Sequence, residues 1–133
     1  MHKLSESYKA FSLIRPAVKT STATGTGVDL LGYLDDAVAI VDLGAASDTD
    51  ATCIVTIQGS NNDSTYTTLT TFVALTATSD NKLACGAVNL FGYRYCRAVA
   101  TIAGTGTPSF AIGVTLLASA EAGISTLNSL TAA

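Results

Sequence analysis

Between Thr52 and Gly59 the side chains alternate strictly, with Cys53, Val55 and Ile57 pointing one way and Thr56 and Gln58 the other. A period of two marks a half-buried β-strand, because successive side chains leave opposite faces of the pleat. The segment Ser60-Asn61-Asn62-Asp63-Ser64 then reads as a turn, since Asn and Asp tolerate left-handed dihedrals and hydrogen-bond their own backbone. Thr65–Phe72 returns as a β-branched and aromatic strand, so the two segments predict a hairpin.

The same code runs through most of the chain. Tyr93–Ile102 alternates, with Tyr93, Tyr95, Arg97, Val99 and Thr101 opposite Arg94, Cys96, Ala98, Ala100 and Ile102. After the turn signal Gly104-Thr105-Gly106-Thr107-Pro108, Ser109–Ala118 sets Phe110, Ile112, Val114 and Leu116 against Ala111, Gly113, Thr115 and Leu117. These two segments predict a second hairpin in the core. In the first half, Val18–Thr24 is extended, Gly25-Thr26-Gly27 is a turn, and Val28–Tyr33 is a short strand broken by Gly32 and Asp35-Asp36. Ala37–Leu43 is apolar on both faces, which predicts a central strand covered from both sides. Gly44–Ala51 is a polar loop, Val73–Lys82 a Thr-rich edge and loop, and Leu83–Leu90 an apolar segment of ambiguous type. No helical pattern interrupts the strands, which excludes a parallel α/β architecture, and no internal repeat is evident. The expected fold is all-β: an antiparallel β-sandwich or jelly-roll-like barrel over residues 18–118.

The two ends differ from this core. Residues 1–17 are expected to form an extended arm, with one helical turn near Ser5–Lys9, because Tyr8, Phe11, Leu13 and Ile14 follow no clean period and Pro16 blocks a helix. Lys3, Lys9, Arg15 and neighbouring Lys19 supply four of the seven cationic side chains of the whole chain. This mixture gives Tyr8, Lys9, Phe11, Leu13, Ile14 and Arg15 as candidate partner-binding residues; the alternative is a frayed terminus. Residues 119–133 are a short tail whose Ile124, Leu127 and Leu130 are spaced for one face of a short helix; the alternative is a mobile or partner-bound tail.

At 133 residues the chain fits one domain. Its charged fraction of 13% is about half the usual ~25%. A surface so poor in charge is either largely covered by partners or a neutral, Thr-rich sandwich face. With a net charge of −3 and no Lys/Arg run, nucleic-acid binding is disfavoured. No stretch of 18 apolar residues predicts a membrane helix, and the first residues lack the apolar stretch of a secretion signal, so a cytosolic site of synthesis is expected. The three cysteines, Cys53, Cys85 and Cys96, have neither disulfide-framework nor metal-ligand spacing. Cys53 and Cys96 fit as small buried hydrophobes, and Cys85 as the more exposed one.

Catalytic chemistry has little to stand on. His2 is the one histidine and lies at the chain end, so no Ser or Thr has a base partner. Asp35, Asp36, Asp48, Asp50 and Asp63 fall in expected turns, where carboxylates usually cap backbone N–H groups. Asp48-Thr49-Asp50 offers oxygens for a calcium ion but lacks the glycine and distal glutamate of a known loop type. Gly104-Thr105-Gly106 has no lysine or helix behind it to hold phosphate. No enzyme activity, cofactor or metal is expected. Arg97, on the face of Tyr93 and Tyr95, is placed to stack on aromatics or to pair across a subunit boundary, which makes Tyr95 and Arg97 oligomer-contact candidates. The alternative is an ordinary solvent-facing arginine.

An ordered set of segments carries a resemblance. They are Gly27–Tyr33, Val38–Ala45, Val55–Tyr66 and Tyr93–Gly104. Over roughly residues 25–117 the chain resembles small virion structural proteins of tailed bacteriophages, of the capsid decoration (cement) type. It departs from their pattern with Asn62-Asp63-Ser64, where Asp-Gly-Ser is common, and with Cys96, where Val is common. The resemblance implies a non-catalytic β-sandwich, assembled in the host cytoplasm, that binds the outer capsid lattice and stabilises the shell. Its implied partners are the major capsid protein and copies of itself, a trimer being favoured, with no nucleic acid or membrane. Two alternatives stay open: a head-fibre or tail module that binds a receptor or glycan through the 44–51 and 60–64 loops, and a head–tail or tail ring subunit.

Overall fold

The computed structural model describes residues 8–77 and 81–120. Among the described residues nine strands build two antiparallel sheets packed face to face. The first sheet consists of β1 (Tyr8–Lys19), β9 (Ser109–Ala120), β4 (Tyr33–Ser47) and β7 (Lys82–Asn89), in that spatial order. The second has β2 (Ala23–Thr24), β8 (Tyr95–Ala103), β5 (Thr52–Ser60) and β6 (Thr67–Thr71), with β3 (Val28–Asp29) also paired to β8. Among the described residues there is no α-helix. The all-β sandwich is therefore as expected.

Alternation decides what is buried. In β5, Cys53, Val55 and Ile57 face inward, and in β8 so do Cys96, Ala98 and Ala100. The first sheet answers with larger groups: Val41 and Leu43 from β4, and Phe110, Ile112, Val114 and Leu116 from β9. Small side chains on one sheet opposite large ones on the other let the layers interdigitate at normal core density. That is the physical reason for Cys96 and its alanine neighbours.

Four expectations need correction. The supposed arm is largely fold: residues 8–17 form most of β1, which pairs along β9 from Tyr8↔Ser119 to Lys19↔Phe110. Phe11, Leu13 and Ile14 are core residues. Their missing period has a cause, since register shifts between Ser12 and Ile14 and between Ile14 and Ala17 turn Leu13 and Ile14 inward together. Pro16 is tolerated because β1 is an edge strand. At the other end β9 takes in Ser119 and Ala120; residues 1–7, with His2 and most of the expected helical turn, and the tail residues 121–133 lie outside the described residues. Second, β4 is longer than expected and takes in Asp35, Asp36 and Gly44–Ser47. Third, β8 and β9 are not a hairpin. They belong to different sheets, and 104–108 crosses between them. Fourth, among the described residues β4 is covered on one face only. Ala37, Ala39, Val41 and Leu43 are buried, while Val38 and Asp42 on the other side are exposed.

The β5–β6 hairpin is as expected. Its loop is built by side chains: Asn62 Oδ1 accepts from the N–H groups of Ser64 and Thr65 at 3.0 and 2.8 Å. Asp63 has φ +55°, a dihedral Asp adopts more readily than most residues.

Candidate functional site

The outer surface of the four-stranded sheet is a nearly uncharged face. Its rows follow from the strand registers. One is Ala10, Leu117, Val38, Ala87; the next is Ser12, Thr115, Ile40, Cys85. A third joins Gly113, Asp42 and Leu83, with Pro16 lying on Gly113 so closely that a Cβ there would be 2.9 Å from the proline Cγ. Val18 and Ala111 complete the face towards the far end. Asp42 is the one charged side chain in these rows. Val18 and Leu83 are 63% and 59% exposed. Between β1, β9 and β4 this face carries a mostly apolar groove of about 390 Å³, lined by Pro16, Ala17, Val18, Gly44, Ala111 and Gly113 among others, with Asp42 as its one charged lining residue.

The outer surface of the other sheet is polar and internally bonded. Arg97 and Gln58 are cross-strand neighbours, and Arg97 Nε donates to Gln58 Oε1 at 2.8 Å. The Arg97 guanidinium also stacks 3.9 Å from the centre of the Tyr66 ring, and the Tyr66 hydroxyl donates to Asp63. Burial and then the Asp63 carboxylate push the Tyr66 phenol up to about 12, so it stays a donor. A Cβ at Gly27 would meet this hydroxyl and carboxylate, so glycine there leaves the Tyr66–Asp63 bond undisturbed. Nearby, Arg94 Nε and Nη2 grip Asp29 at 2.9 and 2.8 Å, and the same guanidinium lies 5.2 Å from the Tyr95 ring. The arginine bonds hold the Asp29 carboxyl below its ordinary range.

The sequence-predicted residues thus divide. Arg97 does stack on an aromatic, but on Tyr66 rather than on Tyr93 or Tyr95, and its bonds run within the chain. Tyr95 sits under Arg94 on the same face. Of the arm candidates, Phe11, Leu13 and Ile14 are taken by the core, whereas Tyr8 and Arg15 stay exposed and Lys9 lies half-buried with its Nζ 5.5 Å from the Phe11 ring.

One feature was missed from sequence. Asp29-Leu30-Leu31-Gly32-Tyr33 and Asn89-Leu90-Phe91-Gly92-Tyr93 are the same motif, and they build the same turn. In each, the first side chain accepts from the backbone N–H two residues on, at 3.0 Å for Asp29 and 2.9 Å for Asn89. The tyrosine N–H closes the turn on the leucine carbonyl, at 3.0 and 2.9 Å. The glycines have φ of +91° and +85°, as the third position of a type II turn requires. Each leucine is buried, and the residue after it, Leu31 or Phe91, stands 70% or 74% exposed. The turns are also bonded to one another's flanks: Leu30 N–H donates to the Arg94 carbonyl and Leu90 N–H to the Asp35 carbonyl, both at 2.8 Å. Each is a corner where the chain switches sheets, from β3 to β4 and from β7 to β8. The pattern Asp/Asn-Leu-apolar-Gly-Tyr was the available signal, too short to stand out as a repeat.

Burial pushes the Cys53 and Cys96 thiols up to about 11 and about 12, which suppresses the reactive thiolate. Asp48 and Asp50 form a hydrogen-bonded pair in which Asp50 raises the Asp48 carboxyl, while Asp48 and Thr105 lower Asp50. Among the described residues no group of three or more His, Cys, Asp or Glu converges.

No protein-family model matches the chain, and no curated protein matches it by sequence. Among solved structures, the crystal structure of PBSX exported protein XepA matches over 98% of this chain with a TM-score of 0.60 at 20% identity. A chain in the structure of infectious bursal disease virus, Gx strain, matches over 90% with a TM-score of 0.53 at 11% identity. The SPBc2 prophage-derived protein YomS matches over 85% of this chain and 93% of its own, with a TM-score of 0.49 at 9% identity. The likeness to XepA and to the virus chain is one of fold. This chain spans 43% of the XepA chain and 33% of the virus chain.

Proposed function

We propose that this chain is a structural subunit of a tailed-bacteriophage particle and, within that class, a decoration protein seated on the outer capsid lattice. The observation that carries the reading is β4. Its sequence has the apolar two-faced pattern of a strand buried from both sides, yet the described residues cover only one side. The remaining face, Val38 and Ile40 with Leu83, Cys85, Leu117 and Val18 around them, is where a shell protein would lie. An apolar patch spread over four strands marks an interaction surface. Tyr8, Lys9 and Arg15 run along β1 at its margin and supply polar contacts. The ordered sequence segments support a phage virion origin, and the fold shared with a chain in a virus structure is in keeping with it. Many copies, each held weakly, add up on one particle to a large stabilisation of the shell. No step of this role needs a catalyst.

The test is the amount of this chain in purified particles relative to the major shell protein. A ratio near one, or near one per local three-fold position, supports decoration. A few copies per particle overturns it in favour of a fibre, vertex or connector subunit.

A further inference from the structure

A sheet in an open sandwich ends in strands whose outer N–H and C=O groups meet no neighbouring strand, and proteins blunt such edges with bulges, proline, charge or brevity. Most edges of this chain are blunted. β1 has two register shifts, Pro16, and the cations Lys9, Arg15 and Lys19. β6 is five residues long and has a register shift of its own, and β2 and β3 are two residues each. β7 is the exception. It runs eight residues, Lys82–Asn89, in unbroken register with β4, without proline and with Lys82 as its one charge. The direction of its backbone groups follows from its neighbours, because alternate residues of an antiparallel strand bond to opposite sides. Leu90 N–H donates to the Asp35 carbonyl of β4 at 2.8 Å. Val88, Gly86 and Ala84 therefore bond to β4, and Leu83, Cys85 and Ala87 aim their N–H and C=O groups away from it. Thr70 agrees with this, reaching over from β6 so that its Oγ1 donates to the Ala87 carbonyl at 3.3 Å. Asn81, with φ +53°, ends the ladder. Among the described residues no strand pairs with this edge.

The geometry points to a second copy of this chain on that edge: the β7 strands of two copies pair antiparallel about a two-fold axis. Free backbone groups in a row take an extended strand, and a strand pairs with its own copy only where outward-aimed residues meet outward-aimed residues. With the axis at Cys85 this condition holds. Leu83 meets Ala87 of the second copy, Cys85 meets Cys85, and Ala87 meets Leu83, each opposed pair exchanging two hydrogen bonds. The Ala87 carbonyl then takes a backbone N–H in place of the Thr70 hydroxyl. The two Lys82 side chains lie at opposite ends of the seam, each across from Val88, so no like charges are opposed. Moving the axis to Gly86 would set Leu83 against Asn89, whose side chain already closes the second turn. The contact joins a patch to itself, so it is isologous and closes at two copies. An axis perpendicular to the sheet keeps both outer apolar faces on the same side, and the pair presents them as one surface. The pairing needs no capsid, so it stands or falls apart from the particle reading.

The test uses the purified full-length chain, with no shell present, in analytical ultracentrifugation over a concentration series under reducing conditions. Dimers and nothing larger are expected. Ala87→Pro removes an N–H that aims away from β4, where an edge strand tolerates proline, so circular dichroism should show an unchanged fold. It deletes a seam bond from each copy and is expected to weaken association at least about tenfold. Opposed Cα atoms of a bonded antiparallel pair lie about 5.5 Å apart, inside the roughly 4.4–6.8 Å that a disulfide spans. Oxidised glutathione should therefore join the Cys85 thiols of the two copies. The two thiols give up two electrons and two protons, and two molecules of reduced glutathione leave. Peptide mapping should find Cys85 bonded to Cys85, and Cys85→Ser should abolish the cross-link while keeping the reversible dimer. A chain that stays monomeric throughout the series, or that forms a trimer, overturns the pairing. So does a dimer that lacks either the Cys85 cross-link or the sensitivity to Ala87→Pro.

Discussion

The two outer faces of this sandwich were built by the same kind of strand and finished in opposite ways. On the five-stranded sheet the larger polar groups are tied to one another: Arg97 to Gln58 and Tyr66, Tyr66 to Asp63, and Arg94 to Asp29. On the four-stranded sheet the side chains are mostly Val, Ile, Leu, Ala and Cys, with Ser12, Thr115 and Asp42 among them, and none of the described residues is laid over them. A bonded polar face is complete in water. An apolar one stays in contact with water until something else covers it, and that is where a partner gains free energy. The polarity of a face alone therefore says little about its use. What matters is whether its groups have already been satisfied within the chain.

Perturbations of the two faces should separate stability from association. The largest effect falls on neither outer face but on the strand that frames the apolar one. Leu13→Ala should destabilise by about 2–5 kcal/mol in urea unfolding, as a large-to-small change in a packed core does. A loss below about 0.5 kcal/mol would return β1 to the status of a dispensable arm. On the polar face, Arg97→Ala should cost about 1 kcal/mol, from one stacked cation and one hydrogen bond, and leave incorporation into particles unchanged. On the apolar face, Leu83→Lys should stay within about 0.5 kcal/mol of wild type yet reduce the copies bound per particle. If the two substitutions show the reverse pattern, the functional face is the polar one.

Cys85 reports on the apolar face directly. At neutral pH the native free chain should take up one equivalent of iodoacetamide, at Cys85, because Cys53 and Cys96 are buried with thiols raised to about 11 and about 12. After unfolding, mass spectrometry should find all three alkylated. Protection of Cys85 in intact particles would place the shell against this face, and full labelling there would exclude it.

The smallest expected effect is an acid one on the polar face. Bonds from Arg94 and then from the Leu31 N–H lower the Asp29 carboxyl from its ordinary 3.8. A carboxyl lowered in the folded state adds stability that is present above pH 3.8 and is lost as pH falls through the lowered value. Asp29→Asn should therefore depress Tm at pH 6 and have less effect near pH 2. An equal depression at both pH values would assign its role to the turn alone.

Much of the inner architecture was legible in the residues. Cys53, Val55 and Ile57 face inward as their alternation requires, as do Cys96, Ala98 and Ala100, and Phe110 through Leu116. The β5–β6 turn was readable because Asn and Asp write their own hydrogen bonds locally. Two parts were harder to read. β1 lost its period to bulges, which depend on how β9 lies beside it. The candidate surfaces were hidden for a different reason: exposure of Val38 or Phe91 depends on what the rest of the chain fails to cover, and an apolar residue looks the same in either case.

The sequence by itself determined β5 and the inward faces of β5, β8 and β9, because these follow from a two-residue period, and the β5–β6 turn, because its side chains bond within a few positions. Only the tertiary structure decided sheet membership. The 104–108 segment reads as a hairpin turn, but β8 pairs with β5 while β9 inserts between β1 and β4. Backbone hydrogen-bonding groups are alike in every strand, so the choice of neighbour falls to side-chain packing over the whole core. That same choice brought the Asp29–Tyr33 and Asn89–Tyr93 turns side by side and left one face of β4 uncovered by the described residues.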